Sequence, residues 1–137
     1  MSDTQTSRSR PDHVASGTAE RPPQRLNLPM RSFDLPHESE QLRQEATYQA
    51  GDRNARTLMK DDGLRVVLTV LRAGAHLKEH KAAGPISIQT VAGHIRVQAA
   101  GELFDLPAGN VVMLDGGVMH DVEATEESAF LLTIASV

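Results

Sequence analysis

Leu106-Pro107-Ala108-Gly109-Asn110-Val111-Val112-Met113-Leu114-Asp115-Gly116-Gly117-Val118-Met119-His120-Asp121-Val122-Glu123 carries the decisive pattern. A Pro–Gly turn leads into four apolar residues, Val111 to Leu114, and Gly116-Gly117 punctuates the chain before a second short run. In His120-Asp121-Val122-Glu123, alternation places His120 and Val122 on one face and both acids on the other, as in a half-buried strand. The same texture extends outward in both directions. Leu64–Leu71, Ile86–Val91, His94–Val97, Glu102–Leu106 and Phe130–Ile134 are dense in β formers, and Gly or Pro separates most of them. Several short strands at this spacing predict an all-β sandwich or barrel. No internal repeat occurs, so one barrel is expected over 62–137.

Upstream the composition changes. Residues 1 to about 25 are rich in Ser, Thr, Arg, Gln and Pro, with little beyond Val14 to bury. Such a segment cannot offset its ordering entropy, which predicts a disordered arm over 1–30. Residues 31–61 form a lead-in with one short helix around 34–50. Asp34 or Ser39 would cap it, Leu42, Ala46 and Ala50 recur at four-residue spacing, and Gly51 follows as a stop.

The chain of 137 residues has a formal charge of −4, which disfavours nucleic acid as the default partner. No Lys or Arg follows Arg96, whereas seven acids do, from Glu102 to Glu127; they read as a solvated acidic rim or as a recognition surface. Zero Cys excludes disulfides and thiolate chemistry and suits a cytoplasmic setting. No signal-peptide pattern opens the chain, and no apolar stretch is long enough to span a membrane.

Two stretches resemble the cupin superfamily, in its small single-domain form with an RmlC-like jelly roll. Gly109 to His120 follows the spacing of the second cupin motif, except that Asp115 stands where Pro is usual and Ala124 where Asn is frequent. The first motif is matched by Gly74, His80 and Gly93, but its second His falls on Ala82 and its Glu on Ile86. The resemblance implies a homodimer and, in metal-binding relatives, three His and a carboxylate converging on one ion. Here only His80 and His120 carry over.

Three functions compete. In the first, a small molecule binds in the barrel interior, in a pocket lined by Ile86, Ile88, Met113 and Val122, with His80, His120 and Gln89 as polar groups. In the second, a metal-dependent dioxygenase or isomerase holds Fe, Mn, Ni or Zn through His80, His120 and either His76 or Gln89; His76 shares a face with His80 if the strand is regular. In the third, the barrel is a structural or interaction module. Alternation sets Gln89 opposite Ile86 and Ile88 unless Gly84-Pro85 hosts a bulge. His94 and Arg96 read as an outward polar pair.

Overall fold

The computed structural model describes residues 29–136. The arm expected over 1–30 lies outside them, apart from Pro29 and Met30. Helix α1 (Leu35–Gln44) starts at Asp34, whose carboxylate accepts the His37 backbone N–H at 3.1 Å, with Pro36 in the first turn. Asp34 is therefore the cap, and Ser39 is buried within the helix. The single helix expected over 34–50 is broken at Glu45, where the backbone is extended, and resumes as α2 (Ala46–Ala50). The break has a tertiary cause. Asn54 donates from Nδ2 both to the Leu42 carbonyl at 2.9 Å and to the Glu45 carboxylate at 2.8 Å, and Arg56 reaches the same carboxylate. With the kink, Leu42 and Tyr48 both point into the sheet, whereas Ala46 and Ala50 do not become buried.

Nine strands follow: β1 (Arg53–Lys60), β2 (Leu64–Leu71), β3 (His76–His80), β4 (Ile86–Ala92), β5 (His94–Ala99), β6 (Glu102–Pro107), β7 (Val111–Leu114), β8 (His120–Ala124) and β9 (Ser128–Ala135). They form two antiparallel sheets, ordered β1-β2-β9-β4-β7 and β3-β8-β5-β6. This is an all-β jelly roll with two short helices. The sheet starts at Arg53 rather than at 62. Strand β1 pairs with β2 along its whole length and carries a bulge between Thr57 and Met59. Polar residues fill most of β1, because it is an edge strand with only Leu58 and the hydrogen-bonded Asn54 buried.

Two apolar cores result. Between the sheets lie Leu71, Ile86, Ile88, Ile95, Val97, Val112, Val122 and Phe130. On the outer side of the five-stranded sheet, Leu42 and Tyr48 from the helices cover Leu58, Leu68, Val70 and Ala129. Strand β2 therefore has both faces covered over much of its length, which explains why only Arg65 and Thr69 interrupt its apolar residues. The helices leave the far part of that outer face bare, where Val111 and Met113 are exposed.

Candidate functional site at the barrel mouth

Strand β3 decides which histidines meet. Leu77 stands opposite Val122 and His80 opposite His120, so three steps along β3 match two along β8. One residue is extra, and this bulge at Lys78-Glu79 brings His80 to the face of Leu77, which packs against the inner core. His76, the immediate neighbour of Leu77, is left on the opposite face. There its Nε2 lies 3.4 Å from the Asp121 carboxylate. The expectation that His76 shares a site with His80 is corrected: four-residue spacing implies one face only in a regular strand.

His120 is 2% exposed, on the inward face with Val122 and Ala124. Its neighbour on β5 is Ala99, a small side chain that leaves room for an imidazole. The rings of His80 and His120 lie 4.3 Å apart between centroids, tilted by 58°. His80 Nδ1 donates to the Lys78 carbonyl at 2.7 Å, and His120 Nδ1 to the Val118 carbonyl at 3.0 Å. A carbonyl can only accept, so both neutral rings carry their proton on Nδ1 and show a lone pair at Nε2. Neither Nε2 has a hydrogen-bond partner among the described residues. That of His120 is also not a fully enclosed orphan, so the little surface this residue keeps includes Nε2.

The loops at this end are drawn tightly together. The Gly117 N–H donates to the Ala82 carbonyl at 2.8 Å. A Cβ on Gly116 would collide with the Ala83 carbonyl, and one on Gly84 with that of Ala135. Ala82 packs on the inner core and Ile86 belongs to it. The two positions that departed from the first motif thus present apolar groups, with no carboxylate in exchange. Among the described residues no three His, Asp or Glu side chains converge into a metal-holding set. Two imidazoles fall short of the three protein ligands that an open metal site keeps, so the residues present do not fit such a centre.

The other expected lining residues separate. Ile86, Ile88 and Val122 point inward, but they are packed core rather than the wall of an open pocket. Gln89 is exposed, because β4 keeps regular pairing from Ile86 to Thr90 and Gly84-Pro85 does not flip it. Met113 pairs with Ser87 on the outer face and is 74% exposed. Both corrections follow from unbroken alternation. On that outer face Pro85, Ser87, Met113, Asp115, Thr133 and Ala135 border a shallow, open depression of about 280 Å³.

His94 and Arg96 do form an outward polar pair. The Asp105 carboxylate accepts from His94 Nε2 at 2.6 Å and from Arg96 Nε at 3.3 Å. The His94 hydrogen bond, more than Arg96, holds the Asp105 carboxyl below the usual carboxylate range. Sequence reasoning missed the corner around Tyr48. Its hydroxyl donates to the Glu127 carboxylate at 2.6 Å, and the Arg72 guanidinium lies 4.4 Å above its ring. Burial first, then Glu127, pushes the Tyr48 phenol up to about 12. Glu127 is thus an anchor for the helices and not only part of a solvated acidic rim.

No protein-family model matches the sequence, and no curated protein matches it either. Solved structures do match its fold. A cupin superfamily protein from Desulfitobacterium hafniense superposes with a TM-score of 0.61 at 15% identity, over 64% of this chain and 80% of that one. A conserved protein of unknown function from Streptococcus pyogenes gives 0.66 at 18%, over 87% and 98%. Salicylate 1,2-dioxygenase from Pseudoaminobacter salicylatoxidans gives 0.69 at 16%, over 82% of this chain but 35% of the enzyme. With its two-sheet topology and these neighbours, the chain has the cupin fold, in the RmlC-like jelly-roll form.

Proposed function

We propose that this chain is a small-molecule-binding cupin-domain protein that takes its ligand at the barrel mouth through His80 and His120. One observation carries the reading: a nearly buried imidazole, His120, whose Nε2 has no partner among the described residues and lies beside the exposed His80 ring, whose Nε2 has none either. An imidazole nitrogen that keeps access to the mouth and meets no protein group is free to accept a hydrogen bond from a ligand there. Ligand contact falls at the mouth and not deep between the sheets, because large aliphatic side chains fill that space.

Side-chain imidazole spectra test this. During a small-metabolite screen, the Nε2 signals of His80 and His120 should move while that of His94 stays still. Elemental analysis of untagged protein, purified without added metal, should give far less than one equivalent of transition metal. A full equivalent that displaces both imidazole signals would replace this reading with the metal-dependent one.

The same proposal includes a homodimer, formed through the bare outer face around Val111 and Met113, the kind of exposed apolar patch that marks an interface. Light scattering at micromolar concentration should exceed the 14.8 kDa of one chain, and a mass at that value rejects the dimer.

A further inference from the structure

We infer, resting on that reading of the mouth, that Glu102 completes the site and that its ligand is a small organic cation with N–H donors, of the primary-ammonium class. The inner row of the four-stranded sheet brings the residues together. Ala99 pairs with His120 on one side and with Glu102 on the other, and His80 stands opposite His120. Across β3, β8, β5 and β6 the row therefore reads His80, His120, Ala99, Glu102. Glu102 alternates in step with Phe104 and Leu106, which pack in the inner core, so it belongs to the inner face, at its exposed mouth end. A tight turn fixes this register. Ala100 and Gly101 both have positive φ, 52° and 77°, as a two-residue type I′ hairpin demands. Ala100 holds a backbone that L side chains rarely adopt, and a slip of one residue would send Glu102 to the outer face.

Every polar end on this row accepts. With both Nδ1–H groups committed to the Lys78 and Val118 carbonyls, each ring offers a lone pair at Nε2. The Glu102 carboxylate has neither a hydrogen bond nor an ion pair among the described residues. The other charged groups stand elsewhere. Arg96 and Asp105 share the outer face, Asp121 lies on the outer face of β8 with His76, and Asp115 borders the outer depression. Lys78, Glu79 and Lys81 are exposed at the β3 end, three strands from Glu102. At about 14 Å they lie beyond the screening length of about 8 Å, so the lysines do not neutralise it. His120 and Glu102 are two strands apart, about 10 Å between backbones, with only the small Ala99 between them. A metal ion needs ligand atoms at about 2.0–2.2 Å and finds no converged set among the described residues. An ammonium group with its carbon body bridges a wider gap, and its three N–H donors and positive charge match lone pairs and a carboxylate. An anion would meet acceptors alone. The half-buried Val118 and the exposed Met119 offer an apolar rim for the body of the ligand.

The test is calorimetry on the full-length protein with methylammonium and benzylammonium, against benzyl alcohol and benzoate, with imidazole spectra recorded alongside. At least one ammonium probe should bind and move the His120 Nε2 signal, and molar salt should weaken it because Glu102 is exposed. The alcohol should bind at least about tenfold more weakly, and benzoate should not bind. Glu102→Gln should weaken the ammonium probe by about tenfold and remove its salt dependence. Adding Leu103→Glu to that variant returns the net charge on the outer face and should not return binding. Glu102 and Leu103 are both exposed, so these variants keep the test valid even where a His120 variant fails to fold. Three results would each overturn the cation inference yet leave the mouth as a ligand site. These are alcohol or benzoate binding as tightly as ammonium, ammonium binding untouched by Glu102→Gln or restored by Leu103→Glu, and no ammonium binding while a screened metabolite moves the imidazole signals. Imidazole signals that respond to none of the probes and to nothing in the screen would overturn both readings.

Discussion

Tyr48 and His120 are equally buried, each 2% exposed, yet their polar atoms end differently. In the corner under the helices the polar atoms of Tyr48 find partners, although the buried Ser39 hydroxyl of α1 has none among the described residues. The Tyr48 hydroxyl reaches Glu127, its backbone carbonyl accepts from Arg72 at 3.2 Å, and its ring face carries the Arg72 guanidinium. At the barrel mouth half of each imidazole is left open. Tyr48 is saturated and so contributes to holding the fold; the imidazole pair is unsaturated and so can respond to something outside. Saturation, more than burial, separates Tyr48 from His120.

The largest effect expected from this contrast is a double dissociation. Leu42→Ala, which empties the space beneath α1, should lower stability by about 2–5 kcal/mol in urea while leaving ligand binding at the mouth unchanged. His120→Gln should do the reverse, costing about 0.5–1.5 kcal/mol in affinity for a ligand at the mouth, the range for a neutral hydrogen bond. Equal losses of stability and binding in both variants would erase the distinction.

A smaller effect sharpens the saturated side. Tyr48 is the single tyrosine of the chain, so tyrosinate absorbance reports on it alone. Its phenol titrates near 12 when folded, against an ordinary value of 10.0. Between those values the unfolded chain releases a proton that the folded one keeps, so stability must fall as pH rises through that window. Tyr48→Phe should flatten this alkaline slope and cost about 0.5–1.5 kcal/mol at neutral pH. A tyrosinate midpoint at the ordinary value would show the corner to be open to water.

The smallest effect belongs to the solvent-facing His94–Asp105–Arg96 cluster. The Asp105 carboxyl is held down, so its contribution is present above the ordinary carboxylate range and is lost as pH falls through its lowered value. Asp105 is fully exposed, so Asp105→Asn should leave the acid-unfolding midpoint nearly unchanged, and molar salt should remove what difference remains. A large shift would mean that this cluster is tighter than a surface pair.

Legibility in the sequence followed local chemistry. Strands β2 and β4 to β9 announce themselves through alternation and Gly or Pro punctuation, and His120 was readable because β8 alternates cleanly. Strand β1 was hidden because its covered face needs little beyond Leu58. The break at Glu45 was hidden because Asn54 and Arg56, which cause it, belong to a later element. Tyr48 was hidden because its partner lies 79 residues away. The bulge at Lys78-Glu79 was the costly omission: neither residue carries a turn signature, yet one inserted residue decided that His80, and not His76, joins His120. Gln89 and Met113 were placed outside by the same alternation that the reading of the pocket set aside.

That bulge also bears on how copies of this barrel can meet. Strand β3 ends one sheet and β1 ends the other, and each is interrupted by an irregular step. An interrupted margin is a poor template for a stranger's backbone, because the spacing of free N–H and C=O groups no longer matches a straight partner. The remaining margin of the larger sheet, β7, has only four residues. Fibrous growth by strand addition is thereby discouraged on these three margins, including the one that carries His80. The regular margin β6 and the broad side of the larger sheet are the surfaces left for the proposed contact between copies.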